Sequence, residues 1–270
     1  MLFNIKTFKL NINNIEMDCI TFGKGDKPLI MIQGLNTNGI KGAGFLLAYM
    51  YRIFIKDYKI YIFDRRKELY EDITVKDFAY DISLAMDKLN IKNAYIFGVS
   101  QGGMIAQYIA INRPDLVNKL VLALTLSRNN KTVESVVNNW IELTKENDMK
   151  NLIIDMVYKM YSQSYIKKYK LFIPLLTIIQ KPKDKKRFIT LVKSCLTCDT
   201  YDDLNKIKCP VFVIGAKNDE VVGSEASIEI AKKLNFKLYM YDDLGHGAYE
   251  EAKDFNEKVY NFLMNKKSSN

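Results

Sequence analysis

Between Asn93 and Arg113 a short apolar run, Tyr95-Ile-Phe97, stops at Gly98, and apolar residues at helical spacing (Met104, Ile105, Tyr108, Ile109, Ile111) begin after Ser100 and end before Pro114. Gly98-Val99-Ser100-Gln101-Gly102 must therefore turn a strand into a helix within one or two residues. So tight a reversal leaves no room for a Cβ at the positions flanking the serine, which glycine alone relieves. The turn lifts the Ser100 hydroxyl clear of the backbone. It also aims the first N–H groups of the helix, that of Gln101 foremost, at any oxyanion forming beside it. A bare Gly-x-Ser-x-Gly recurs by chance in chains of this size, and the strand-turn-helix setting is what gives this one meaning.

The flanking sequence repeats the same alternation. Phe8 to Ile12 and Ile15 to Phe22 read as an edge hairpin across Asn13-Asn14, a pair that tolerates tight-turn geometry. Pro28 to Gln33 and Ile60 to Phe63 are continuously apolar, as strands covered on both faces require. Helical spacing runs over Phe45 to Ile55 and again from Thr74 to Leu89, with Thr74 as N-cap and Asp77 three residues on. Val117 to Ala123 is a further strand. This order predicts an α/β fold, a mostly parallel central sheet flanked by helices. From Ser127 to Thr200 the alternation gives way to helical periodicity alone, over Val133 to Thr144, Leu152 to Tyr161, Tyr165 to Ile179 and Arg187 to Leu196. An all-helical cap insertion at 127–200 is expected within a core domain formed by 1–126 and 201–270. The core pattern resumes with a strand at Pro210 to Ile214, a helix at Ser224 to Leu234, a strand at Lys237 to Tyr241 and a closing helix from Glu250 to Met264. Lys266 to Asn270 reads as a frayed tail.

Composition narrows the function classes. A 270-residue chain that is 48% hydrophobic and 26% charged is an ordinary globular protein, near the upper size for one core. No apolar run is long enough to cross a membrane, and the first residues lack the apolar centre of a signal peptide, so a cytoplasmic protein without stable membrane insertion is expected. The net charge of +9 comes from lysines scattered along every segment, with no reading motif for nucleic acid, and no nucleic-acid binding is expected. The densest basic run, Lys181 to Arg187, reads as a helix-start surface patch, with a contact for an acidic partner as the alternative. Cys195-Leu-Thr-Cys198 lacks the further ligands of a zinc site and reads as a buried packing pair on a helix. No metal and no cofactor is implied, and the oligomeric state has no signature.

A serine hydroxyl is a poor nucleophile near neutral pH. It needs a base to take its proton and a third group to hold that base in one tautomer. The only histidine, His246, stands in Asp242-Asp-Leu-Gly-His-Gly-Ala, directly after the last expected strand, where a loop at the carboxyl edge of a parallel sheet emerges. Asp219, just past the Val211 to Ile214 strand, is the candidate orienting acid, with Glu220 its nearest competitor and Asp64 a third choice. The loop after the Leu29 to Ile32 strand is placed to offer a second oxyanion donor beside Gln101, and Leu35, after Gly34, is the candidate. Trp140, Met156, Tyr158, Met160, Tyr161 and Phe172 are candidates to line an apolar substrate pocket, packing within the cap being the alternative for each.

Together these residues resemble the α/β-hydrolase fold enzymes, in particular the capped esterase, lipase and C–C hydrolase group. The resemblance runs from Pro28 to Leu263 and is most specific in Gly98 to Gln107, Ile207 to Asp219 and Leu244-Gly-His246. It implies a Ser100, His246 and Asp219 triad, oxyanion donors at Leu35 and Gln101, and a helical cap over the pocket. Members commonly carry His-Gly where this chain has Gln33-Gly34; backbone donation to an oxyanion does not need that histidine, so catalysis is expected to survive the departure. Haloalkane dehalogenases and epoxide hydrolases resemble the fold but use an aspartate where Ser100 stands. The implied activity is that of a carboxylesterase-like serine hydrolase, cleaving an ester or thioester of a small to medium, mainly apolar acyl substrate. The same triad serves C–C bond hydrolysis, acyl transfer and perhydrolysis, and a non-enzymatic ligand receptor on this fold is a further alternative.

Overall fold

Residues 3–265 are described by a computed structural model, and the tail expected at Lys266 to Asn270 lies outside them. The chain opens with β1 (Lys6–Ile12) and β2 (Ile15–Phe22), antiparallel, with Ile12 opposite Ile15. Only Asn13 and Asn14 are left to turn, both at positive φ, 47° and 68°. Two consecutive left-handed residues match the twist of the flanking strands, and asparagine accepts that backbone more readily than other non-glycine residues.

Next come β3 (Lys27–Ile32), α1 (Gly44–Met50), β4 (Tyr58–Phe63), α2 (Val75–Lys88), β5 (Ala94–Val99), α3 (Gln101–Asn112) and β6 (Val117–Ala123). The helix expected as far as Ile55 stops at Met50, and a 3-10 turn at Arg52–Phe54 completes the stretch. Thr74 caps α2 as its spacing predicts: its hydroxyl accepts the Asp77 N–H at 3.1 Å, and the Asp77 carboxylate accepts the Thr74 N–H at 2.8 Å.

Between β6 and β7 (Val211–Ala216) lie α4 (Lys131–Lys145), α5 (Met149–Met160), α6 (Gln163–Tyr169), α7 (Ile173–Ile179) and α8 (Lys185–Ser194). The single helix expected over Tyr165 to Ile179 is broken by a 3-10 turn at Lys170–Phe172. Pro174 lacks the N–H that would bond back to Lys170 and disfavours helical backbone before it, so a new helix starts around it. Cys195 and Cys198 are buried free thiols, but at the start of and just past a 3-10 turn after α8 rather than on a helix. Asp184 caps α8 by accepting the Arg187 N–H at 2.8 Å, as a helix-start patch requires. The chain closes with α9 (Ser224–Leu234), β8 (Lys237–Tyr241), α10 (Ala248–Glu251) and α11 (Phe255–Leu263), the last two replacing one expected helix.

The eight strands form one sheet in the order β1-β2-β4-β3-β5-β6-β7-β8, parallel from β4 to β8 with the antiparallel hairpin at one edge. Along β3, Leu29 and Met31 pack with α1 and α11, while Ile30 and Ile32 pack with α2 and α3. Both faces are therefore dry, which is the physical basis of the continuous apolar runs. From β3 the chain goes to β4 on one side and then crosses back to place β5 on the other, so the strand order reverses between β3 and β5, where a crevice opens at the carboxyl edge. Val136, Trp140, Phe188 and Leu191 of α4 and α8 join the core of the α2 and α3 face, whereas Ile153, Val157, Ile166 and Ile173 of α5 to α7 form a small cluster of their own. Among the described residues no helix is long and apolar enough to cross a membrane.

Removing the α2 cap tests how far local signals stabilise this fold. Thr74→Ala is expected to lower the unfolding free energy by about 1 kcal/mol. The urea midpoint should fall with an unchanged slope.

Candidate active site

Ser100 sits between β5 and α3 at φ 53° and ψ −123°. Such backbone costs a non-glycine residue on the order of 1–3 kcal/mol and persists only where its surroundings over-determine it. They do so here. The Ser100 N–H donates to Ala123 O at 2.9 Å, and its carbonyl accepts from Gly103 N–H and Thr125 Oγ1, each at 2.8 Å. A Cβ on Gly98 would overlap the Gly102 carbonyl, and one on Gly102 the carbonyl of Ile32 at the end of β3.

The other two residues of the expected triad converge on the serine from the ends of β7 and β8. His246 Nε2 lies 2.9 Å from Ser100 Oγ, and His246 Nδ1 lies 2.9 and 3.1 Å from the two Asp219 oxygens. Asp219 Oδ1 also accepts the N–H groups of Val221 and Val222 at 2.9 and 3.0 Å, which fixes the carboxylate. Because an ionised carboxylate only accepts, Nδ1 is assigned the proton, leaving the Nε2 lone pair toward the hydroxyl. His246 and Asp219 are buried and Ser100 is half-buried. Of the competing acids, Glu220 is exposed. Asp64 is engaged elsewhere, accepting the N–H groups of Ile40 at 3.1 Å and of Arg65 at 2.8 Å.

The loop after β3 runs beside the serine, close enough that a Cβ on Gly34 would stand 3.2 Å from Ser100 Cβ. Leu35 is half-buried on the same wall, and neither its N–H nor that of Gln101 donates a hydrogen bond among the described residues. The Gln101 side chain is buried and turned away from the serine. Its Nε2 donates to Leu191 O at 2.8 Å and Ser194 Oγ at 3.1 Å on α8.

Sequence reasoning missed Arg65. Burial pushes its guanidinium down to about 10, and no carboxylate hydrogen-bonds to it among the described residues. Its Nη2 donates to Gln33 O at 2.8 Å and to Gln101 Oε1 at 2.9 Å, and its Nε to the same Oε1 at 3.1 Å. One cation thus ties the end of β3 to the serine turn and, through Gln101, to α8. This is how the strand end preceding Gly34 is held in a chain with glutamine at position 33.

A cavity of about 570 Å³ opens over Ser100 and His246. Trp140, Met156, Met160 and Tyr161 line it. Tyr158 and Phe172 do not, and both are exposed. Met156 and Met160 are one helical turn apart on α5, and Tyr158 is rotated roughly 200° from Met156. Phe172 lies on the 3-10 turn that Pro174 imposes. The α5 end is pinned to the histidine loop, since the Gly247 N–H donates to Met160 O at 2.6 Å. Trp140 Nε1–H donates to Asp155 Oδ2 at 2.7 Å, which holds the indole in the wall.

The signature of the family described as alpha/beta hydrolase fold matches residues 27–253. A relative named "Putative carbamate hydrolase RutD", from Caulobacter sp. (strain K31), is 24% identical over 235 residues, which are 83% of this chain and 88% of that protein. A 2-hydroxy-6-oxononadienedioate/2-hydroxy-6-oxononatrienedioate hydrolase from Pseudomonas sp. is 25% identical over 185 residues, 66% of this chain and 65% of that one. Among solved structures, the enol-lactonase from Burkholderia xenovorans LB400 matches with a TM-score of 0.82 at 18% identity, covering 95% of this chain and 100% of its own, a likeness of fold.

Replacing Arg65 by methionine keeps the apolar stem but leaves Gln33 O and Gln101 Oε1 short of donors. Arg65→Met is expected to cost about 2–4 kcal/mol in chemical denaturation. Arg65→Lys should recover only part of this, because a single ammonium lacks the fork that reaches both acceptors.

Proposed function

The chain belongs to the alpha/beta hydrolase fold family, and from that premise we propose that it is a serine hydrolase acting on an ester or thioester of a small to medium, mainly apolar acyl compound. The observation that carries this reading is the unbroken hydrogen-bonded line from Asp219 through His246 to Ser100 at the floor of a cavity.

In this reading Ser100 Oγ attacks the substrate carbonyl carbon while His246 Nε2 takes the hydroxyl proton. Asp219 stabilises the imidazolium that forms and keeps its orientation. Charge developing on the carbonyl oxygen is met by the free N–H groups of Leu35 and Gln101, which are fixed before reaction and so need no reorganisation. Collapse breaks the bond to the leaving oxygen or sulfur, which takes the proton from His246. A water then gives its proton to the same nitrogen and attacks the acyl carbon, freeing the acid and restoring Ser100. Helices α4 to α8 serve as the cap over positions 127–200. The apolar side chains of Leu47, Met156, Met160 and Val99 in the cavity wall favour an apolar acyl group, and its volume suits a small to medium one.

The name of the Pseudomonas relative supports a second reading, in which the same three residues hydrolyse a C–C bond; analysis of the released products separates the two. Acyl transfer and perhydrolysis use the same parts and differ only in the acceptor.

A fluorophosphonate probe is expected to label Ser100 in the folded protein and to leave Ser100→Ala unlabelled. Nitrophenyl-ester turnover should fall by roughly 10³-fold or more in Ser100→Ala and in Asp219→Asn, the latter because the amide favours the wrong imidazole tautomer. A wild-type protein that resists the probe and turns over esters no faster than Ser100→Ala would make the fold a binding scaffold instead.

A further inference from the structure

The two elements flanking the mouth of the cavity expose apolar side chains to solvent. On α7 and the turn before it, Leu171, Phe172, Leu175, Ile178 and Ile179 are all exposed, Leu171 at 90%. Leu175 and Ile178 lie three residues apart on one face of α7, and Leu171 stands on the turn just before it. The opposite side of the same segment, Ile173, packs into the small cluster of α5 to α7. On α1, Phe45, Leu46 and Tyr49 are likewise exposed. Leu46 and Ile179 both line the cavity that holds Ser100, so the two faces belong to one rim.

Charge selects the occupant of that rim. Between Asp155 and Asp184 the chain has no acidic residue and six lysines, at 159, 167, 168, 170, 181 and 183. Between Asp26 and Asp57, the stretch containing α1, there is again no acidic residue, and Lys41, Arg52 and Lys56 accompany the apolar face. Lys167, Lys168, Lys170, Lys181 and Lys183 are exposed. The last two are held at the rim, because Asn38 of the loop after β3 donates to Lys181 O at 3.4 Å and accepts the Lys183 N–H at 3.3 Å. A second copy of the chain would bring the same cations and the same +9 charge face to face. An anionic lipid surface offers acyl chains to the apolar side chains and phosphates to the lysines that border them.

We propose that the α1 and α7 rim docks this protein on the surface of an anionic lipid bilayer, with the cavity mouth toward the lipid. Leu171, Leu175 and Ile178 sit among the upper acyl chains while the lysines stay at headgroup level. An acyl substrate would then reach Ser100 from the lipid without crossing water. That consequence rests on the serine hydrolase reading; the docking does not, and it is tested without any turnover measurement.

The test is co-sedimentation of the full chain with vesicles of phosphatidylglycerol in phosphatidylcholine, against phosphatidylcholine alone. Binding is expected only to the anionic vesicles and should weaken as salt is raised. It should weaken at least ~10-fold in the triple variant Leu171→Ser, Leu175→Ser, Ile178→Ser, and again in Lys167→Glu, Lys168→Glu, Lys170→Glu. All six residues are exposed, and an unchanged thermal midpoint confirms that each variant folds. Three results overturn the proposal: no sedimentation of the wild type with anionic vesicles, equal sedimentation of the wild type and both variants, or a wild-type dimer that the apolar variant converts to monomer.

Discussion

The backbone of α3 meets the end of β3 with no room for a side chain, Gly102 pressed on the Ile32 carbonyl and Gly98 on Gly102. That contact does more than permit a sharp turn. It fixes the first turn of α3 against the strand at which the sheet order reverses, so the serine stands at the crevice and the loop through Gly34 passes directly beside it. A side chain at Gly102 would lever α3 off β3, one at Gly98 would lever it off β5, and either would shift Ser100 relative to the loop through Gly34. The strained Ser100 backbone is the local consequence, and the bond it donates to Ala123 O and those it accepts from Gly103 and Thr125 offset it.

Much of this was legible in the sequence because the relevant physics is local. A strand dry on both faces has to be continuously apolar, as at Leu29 to Ile32, and a capping box needs only Thr74 and Asp77. The meeting of Ser100, Asp219 and His246 is long-range, yet it follows from position, since each stands just past the end of a strand and parallel strands bring those ends to one edge. Arg65 was not legible because its partners are a main-chain carbonyl and an amide side chain, Gln33 and Gln101, rather than acids that a charge pattern would reveal. Tyr158 and Phe172 failed for another reason. Periodicity gives the relative phase of residues on a helix, not which side meets a cavity, and α5 and α7 are apolar on more than one side.

The helical segment is joined to the sheet unequally. Helices α4 and α8 share the main core, and α8 is tethered further by Arg187, which donates to the carbonyls of Arg66 at 3.0 Å and Lys67 at 2.8 Å, and by the Gln101 amide. Helices α5 to α7 keep a small cluster of their own and bury only Leu152 of α5 in the main core, and the end of α5 is joined to the histidine loop and α10 by the Gly247 N–H to Met160 O, the Tyr161 hydroxyl to Glu250 and the Ser162 N–H to Glu251. Displacing α4 or α8 would open the main core, and moving α8 would also strip the Gln101 amide of Leu191 O and Ser194 Oγ. Displacing α6 and α7 would disturb mainly the small cluster, whereas α5 also carries Leu152 in the main core and holds the Trp140 indole through Asp155. The less costly way to widen the cavity mouth is therefore on the α6 and α7 side, and that is the side whose outer face carries Leu171, Leu175 and Ile178. The part of the molecule least anchored to the sheet is thus also the part with the most apolar surface left to bury, so a surface that covers α7 would act on the same helices that set the width of the opening above Ser100.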